Sequence, residues 1–433
     1  MKMQRTTQTK TTTLALALAA GALASTASAQ ISFGPRTDLA TAQRPSGIAS
    51  ADFTGDGLMD LAVIVDTNDR ILVMVGDGTG NFTPGPISFL GSGIGADAAI
   101  NHDVDGDGDE DLIVVFDGPN RAQVMLNDGA GTFVAGGSAA TQVEPVWIVK
   151  GDLNGNPTAD FVVVNRDSNS ISIMLDLGAS TASTHIAVGQ EPRMAAIADF
   201  TGDGLADIAV TSHDDRTVRI LNGNGAGGFV AGQVISTPAD RPEGIVAADF
   251  DGDGDQDMAI TIDNSVDTYA NTGGVLSRFA RLPVGSIDPS ELYVGDFAPG
   301  TAAGPDILVL NNDGGAVSVF ENLGGMSFGA ALVLPVGVQP SFATVGDLDG
   351  NGSSDFAVTN RDSNTTSVFI NDAGGVAPCV ADFDGDGSLT LFDFLAFQTA
   401  FDMGDLRADI DGDGSLSLFD FLEFQNLFSA GCP

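Results

Sequence analysis

The feature that most constrains this chain is a loop of alternating carboxylates that returns about every 50 residues. In its fullest form it reads Asp249-Phe250-Asp251-Gly252-Asp253-Gly254-Asp255-Gln256-Asp257. Like charges at this density repel, so neither a helix nor a strand gains from the arrangement. A hard cation that takes six to eight oxygens removes the conflict, and calcium is the usual one. The glycines allow positive φ, which lets the carboxylates converge on one point. The first Asp of each copy falls at 52, 103, 152, 199, 249, 296 and 347, at intervals of 51, 49, 47, 50, 47 and 51. A period of this length holds four short strands, the unit of a propeller blade.

Each unit reads alike. An apolar strand such as 244–248 leads into the acidic loop, and a second strand follows, as at 60–65, 207–211 and 355–359. A polar turn precedes the third strand (71–75, 218–221, 366–370), and a Gly-Asn/Asp-Gly turn leads to the fourth, near Phe82 or Phe229. The seventh unit stops after residues 371–376 without a fourth strand. Ile31-Ser32-Phe33-Gly34-Pro35 belongs to no complete unit and matches Met326-Ser327-Phe328-Gly329. The spare strand is expected to complete the seventh blade, which removes an open sheet edge. The fold class is therefore all-β, a seven-bladed β-propeller over residues 30–376 closed by an N-terminal strand. A small α-helical module over 377–433 follows it.

Charge narrows the partners. Against 58 acids stand 17 lysines and arginines, a formal charge of −41, which repels nucleic acid and anionic membranes. Lys2, Arg5 and Lys10, then Leu14 to Leu23, then Ala27-Ser28-Ala29 have the order of a secretory signal over 1–29. Export to the cell surface or medium is expected. No later apolar run reaches the ~20 residues of a membrane span. In an exported chain, Cys379 and Cys432 are expected to form one disulfide around the last two acidic loops.

Asp52-Phe53-Thr54-Gly55-Asp56-Gly57-Leu58-Met59-Asp60-Leu61 and its relatives resemble the FG-GAP or VCBS repeats of integrin-α-type propellers. The resemblance covers about residues 31–376. It implies calcium in the turn between the first two strands, on one rim. Carried onto this sequence, the first loop would offer Asp52, Thr54, Asp56, the Leu58 carbonyl and Asp60. The second would offer Asp103, Asp105, Asp107, Asp109 and Asp111, and the third Asp152, Asn154, Asn156 and Asp160. The fourth has Asp199, Thr201, Asp203, Leu205 and Asp207, and the fifth Asp249, Asp251, Asp253, Asp255 and Asp257. The seventh has Asp347, Asp349, Asn351, Ser353 and Asp355. Pro157 departs from the pattern in the third. The sixth loop carries Ala298 and Pro299 with two extra residues before Asp306, and is expected to hold no ion.

The C-terminal module has two loops of EF-hand spacing with Asp at the twelfth position. Their candidate ligands are Asp382, Asp384, Asp386, Ser388, Thr390 and Asp393, then Asp409, Asp411, Asp413, Ser415, Ser417 and Asp420. Behind each comes an apolar helix whose Phe394, Leu395, Phe397 and Phe401, then Phe421, Leu422, Phe424, Leu427 and Phe428, fit a buried face. This duplicated loop-helix resembles a dockerin, and the bracketing cysteines resemble the variety at the C-termini of exported planctomycete-type proteins. The resemblance implies a cohesin-like or other surface-anchoring partner. Contact would come through Leu391, Phe392, Leu418 and Phe419, which stand where cellulosomal dockerins carry Ser-Thr.

No catalytic motif stands out. His102, His185 and His213 have no partner at metal-ligand spacing and read as solvated structural residues, and no nucleophile elbow, zincin motif or phosphate loop occurs. Arg44-Pro45, Glu144-Pro145, Glu191-Pro192, Arg241-Pro242, Asp288-Pro289 and Gln339-Pro340 precede first strands. With the polar turns 165–169 and 360–364 they are expected on the rim opposite the acidic loops, a candidate ligand surface. The blander reading is that Pro sets an extended lead-in and Asn and Asp make turns. The expected function is non-catalytic binding or adhesion of an extracellular protein or polysaccharide. A polysaccharide lyase or hydrolase is the alternative, and a surface-layer component a third reading. A cluster of acids or a basic-aromatic groove on the channel rim, outside the calcium loops, would favour the enzyme, and a shallow polar rim would favour binding.

Overall fold

A computed structural model describes residues 31–41, 43–91, 95–178, 182–299, 304–372, 383, 391–403, 408, 410 and 417–430. Residues 31–372 form seven antiparallel four-stranded sheets, each paired in the order A-B-C-D, with A nearest the ring axis and D outermost. The B strands decide the packing. Segments such as Asp60–Val65, Asp111–Phe116 and Asp306–Asn311 are buried at all six positions, because each lies between the faces of two neighbouring blades. Their unbroken aliphatic runs are what a strand covered on both faces requires.

Sequence and structure agree on how the ring closes, with one shift. The regular closing strand is Thr37–Ala40, which pairs with Thr365–Phe369 as the outer strand of blade 7. The expected segment, 31–35, lies just before it and makes a single bridge, Phe33 to Asn371, while Gly34 N–H donates to the Ile370 carbonyl at 2.8 Å. Phe328 bridges Asn322 in the same way in blade 6, so the resemblance between the two segments was positional. The difference arises because the C and D strands slip register partway along, as between Leu72 and Met74. The aromatic residue thus sits ahead of the ladder. Phe33 packs edge-on against Phe297, Phe356 and Phe369.

Because successive strands are antiparallel, the A–B and C–D turns emerge on one face of the ring and the B–C turns and D–A connections on the other. The acidic loops are A–B turns and so share a face. The residues before strand A meet the B–C turns on the opposite face. At five of the six X-Pro positions proline does not give an extended lead-in. Arg44, Glu144, Glu191, Asp288 and Gln339 take φ of 53° to 60°. The left-handed turn aims each of their carbonyls at a B–C turn amide: Asp66, Arg166, His213, Asn312 and Arg361 donate to them at 2.8–3.2 Å. The hydrogen bond that each carbonyl accepts offsets the local strain.

In the C-terminal region two helices are described, α1 (Leu391–Met403) and α2 (Leu418–Ala430). Phe397 and Phe424 stack with ring centres 3.9 Å apart, and Phe383, Phe394, Phe401, Phe421, Leu427 and Phe428 gather around them. Leu395 and Leu422 do not join this core. They are 46% and 45% exposed, since each lies one residue beyond the Phe that begins the buried face. Asp382, Asp384, Asp386, Ser388, Thr390, Asp409, Asp411, Asp413, Ser415, Cys379 and Cys432 lie outside the described residues, as do the side chains of Leu391, Phe392, Asp393, Leu418 and Phe419. Among the described residues, no helix is long and apolar enough to cross a membrane.

Candidate metal loops and the channel mouth

The acidic loops are organised from both ends. The first Asp folds its carboxylate back over the loop. Asp52 accepts from Gly55 N at 2.7 Å and Gly57 N at 2.8 Å, and Asp103, Asp199 and Asp249 repeat the pattern. Gly57, at φ 85°, adopts a left-handed turn that a side chain would strain. The ninth-position Asp is buried in every blade, at 2% exposure or less. One of its oxygens takes the N–H of the loop's second residue and the other an N–H at the end of strand C. Asp306 does so with Phe297 N and Asn322 N, both at 2.7 Å, and Asp60 with Phe53 N at 3.0 Å and Gly76 N at 2.9 Å. Blade 6 keeps Asp296 but has Ala298 and Pro299 where the next ligand would stand, yet it retains this clamp, so the ninth Asp has a structural task separate from any ion.

Carboxylates at loop positions one, three and nine converge where all three are acidic. Asp103, Asp105 and Asp111, then Asp249, Asp251 and Asp257, then Asp347, Asp349 and Asp355, each place one oxygen within 4.8 Å of the others. Oxygens bound to one calcium at 2.3–2.6 Å span such distances, so the donor set fits the ion. In blades 1 and 4 position three is Thr54 or Thr201, whose hydroxyls lie 3.0 Å from Asp60 and 3.4 Å from Asp199. In blade 3 the Asn154 amide donates to Asp160 at 3.2 Å and that of Asn156 to Asp176 at 2.7 Å. There an N–H supplies part of what a cation would. Asp56, Asp107, Asp203 and Asp253 accept from the N–H two residues on, at 2.9–3.1 Å, as tight turns do. Asn351 bonds to Asp349 and to the Asn371 carbonyl. In the tail, Asp420 is buried and accepts from Ser417 N at 2.7 Å.

One interaction next to these loops escaped the reading of single repeats. Asn127, Asn271, Asn322 and Asn371, at the end of strand C, each send the side-chain amide to the carbonyl of the loop Phe in the preceding blade, at 2.8–3.0 Å. All four are at most 7% exposed. The signal was present as an Asn recurring 16 residues after Asp111, Asp306 and Asp355.

The other face opens on a cavity of about 510 Å³ at the mouth of the axial channel. Its walls carry Asp97, Asp117, Glu144, Glu243, Asp288, Glu291 and Asp313 against Arg166, Arg193 and Arg361. Arg166 pairs with Glu144, and Arg193 with Glu191 at 2.5 Å. The floor is aromatic: Trp147 and Phe342 stack across the ring at 5.8 Å, with Tyr293 beside Trp147. Below them an apolar cavity of about 380 Å³ follows the A strands. Burial pushes Asp97 up to about 6, helped by the charge of Asp117. Burial likewise pushes Glu291 up to about 7, against a hydrogen bond from the Ser290 hydroxyl. The expected X-Pro rim thus contributes Glu144, Asp288 and Gln339. The expected turns 165–169 and 360–364 contribute Arg166 and Arg361, and most of the rest comes from strand A residues with no common motif.

These shifts fix a pH dependence. A carboxyl raised in the folded state binds a proton there that it would not bind unfolded, so its contribution is present below about pH 4 and lost as pH rises through the raised value. Asp97 and Asp306 sit at about 6 and Glu291 at about 7. In calcium, the melting temperature should therefore rise as pH is lowered from 7.5 to 5.5. Calorimetry showing a flat or falling trend over that window would contradict the burial of these three groups.

Residues 103–163, 152–210 and 199–260 match the FG-GAP-like repeat. No curated protein matches the sequence. Among solved structures, BBS1N in complex with ARL6DN is similar at 14% identity and a TM-score of 0.56, covering 79% of this chain and 97% of that one. Virginiamycin B lyase from Staphylococcus aureus is similar at 14% identity and a TM-score of 0.53, over 78% of this chain and 99% of that one. A protein from Lactobacillus plantarum is similar at 12% identity and a TM-score of 0.53, over 69% and 86%. At such identities the likeness is one of fold. Residues 103–260 are FG-GAP-like repeats, set within a seven-bladed β-propeller.

Proposed function

We propose that this chain is an exported, calcium-stabilised propeller that binds an extracellular protein or polysaccharide at the channel mouth without transforming it. Its dockerin-like tail, with an EF-hand pair and one disulfide, holds it to a cohesin-like or other surface-anchoring partner. The observation that carries this reading is the division of the acids between two faces. The converging triads of blades 2, 5 and 7 lie on A–B turns, which leaves the opposite mouth for a ligand. Its stacked Trp147 and Phe342, ringed by carboxylates and arginines, suit a sugar ring that stacks on its apolar face and hydrogen-bonds at its edge.

The acids, arginines and aromatic floor of the mouth are also what the enzymatic reading expects on the channel rim. Glu291 faces the mouth with Glu243 and Asp288 nearby, and a carboxyl raised to about 7 suits a general acid near neutral pH. The two readings part in one experiment. The full chain in calcium is passed over insoluble polysaccharides of differing charge, and the eluate is assayed for new reducing ends and unsaturated products. Retention without product supports the binding protein. Product that disappears in Glu291→Gln supports the enzyme. Neither retention nor product removes the polysaccharide ligand from both.

A further inference from the structure

The histidine expected to be solvated is not. His213, on the B–C turn of blade 4, is 8% exposed. The fold gathers three carboxylates around it from separate segments. Its Nδ1 lies 3.0 Å from Asp214 Oδ1 and 3.3 Å from Glu191 Oε2, and its Nε2 lies 3.5 Å from Glu243 Oε1. One ligand atom each from Glu191, His213 and Asp214 fall within 4.8 Å of one another.

We propose that Glu191, His213 and Asp214 form a site for a borderline transition metal of the zinc class, apart from the calcium loops and on the opposite face. Four ligands at about 2.0–2.2 Å in a tetrahedron stand roughly 3.3–3.5 Å apart, close to the spacing of His213 Nδ1 from the two carboxylates. The remaining contacts are those that support such a site. Glu243 faces the other ring nitrogen, and a proton held between them leaves the Nδ1 lone pair for the metal, the usual outer-shell partner of a ligating histidine. Arg193 holds Glu191 Oε1 at 2.5 Å, which leaves Oε2 directed at the ring. The backbone fixes both ends, since His213 N–H donates to the Glu191 carbonyl at 3.0 Å. Calcium is disfavoured, because it takes six to eight oxygens and this set offers one nitrogen and two carboxylates. Three protein ligands leave a fourth position open to water or to a ligand group. Glu243 and Arg193 also line the mouth, so that position lies at its edge.

The test uses the full chain in excess calcium, titrated with cobalt(II) and then zinc. One equivalent of cobalt should give the visible absorption of a low-coordinate nitrogen-containing site, and zinc should bleach it. His213→Gln should weaken binding at least tenfold while leaving the calcium-dependent melting transition in place, and Asp103→Asn, in a calcium loop, should keep the cobalt band. Should His213→Gln fail to fold, Asp214→Asn serves instead, because that side chain is 46% exposed and its loss should likewise weaken cobalt binding. No cobalt band in calcium-saturated protein overturns the proposal. So does a band of undiminished affinity in the variant that folds.

Discussion

Dialysis of the full chain against a calcium chelator is expected to lower its melting temperature by upwards of about 10 °C. Three carboxylate triads converge, so without an ion each holds like charges together. An ion bound only by the folded state contributes about 2.7 kcal/mol per site at a hundredfold excess over Kd, or ~8 kcal/mol for three independent sites. For a large domain, a few kilocalories shift the transition by several degrees. Differential scanning calorimetry in calcium and in chelator measures it. Equal transitions in the two would show that the loops are held by their internal hydrogen bonds alone, and the acidity of this face would need another explanation.

Asp306→Ala is expected to cost about 3–5 kcal/mol, equally in calcium and in chelator. The side chain is 2% exposed and accepts from Phe297 N and Asn322 N at 2.7 Å each. Alanine leaves two buried N–H donors unmet, at about 1–3 kcal/mol apiece, and opens a small void. Raised to about 6 by desolvation, the carboxyl is itself uneasy when charged, which trims the loss but does not cancel it. Chemical denaturation in both conditions is the measurement. A cost that vanishes in chelator would mean that blade 6 binds an ion after all and that Asp306 acts through it.

These two predictions mark the boundary of what the sequence could tell. The period, the count of seven and the spare N-terminal strand were legible because each is a local pattern repeated in phase. The curl of the acidic loops was legible too, since glycines at fixed offsets allow it, but the carboxylates that converge, at positions one, three and nine of blades 2, 5 and 7, are fewer than the sets expected. The double duty of the ninth Asp was not, because its second donor lies 16 residues on, across strands B and C. Nor was the Asn bridge, whose acceptors lie 71–74 residues away. The channel mouth and His213 were least legible of all. The X-Pro residues and the turn arginines Arg166 and Arg361 were signalled, but the strand A residues of the mouth share no motif, and only folding brings Glu191 and Glu243 to the imidazole beside Asp214. Leu395 and Leu422 show the same limit on a smaller scale, as apolarity placed them in a core that helix geometry denies them.

The offset closure of the ring also bears on how the protein would carry tension. Had the seventh blade been completed by its own last strand, the chain would leave the ring from an outermost strand bonded along one edge. A pull on the residues that follow would then peel that strand away one bond at a time. Instead the chain leaves from Thr365–Phe369, which is flanked by Asp355–Asn360 on one side and by the N-terminal Thr37–Ala40 on the other. A pull along this strand loads two ladders at once and in shear. If the tail is a tether and the mouth grips its ligand, force between them would run through a doubly bonded strand.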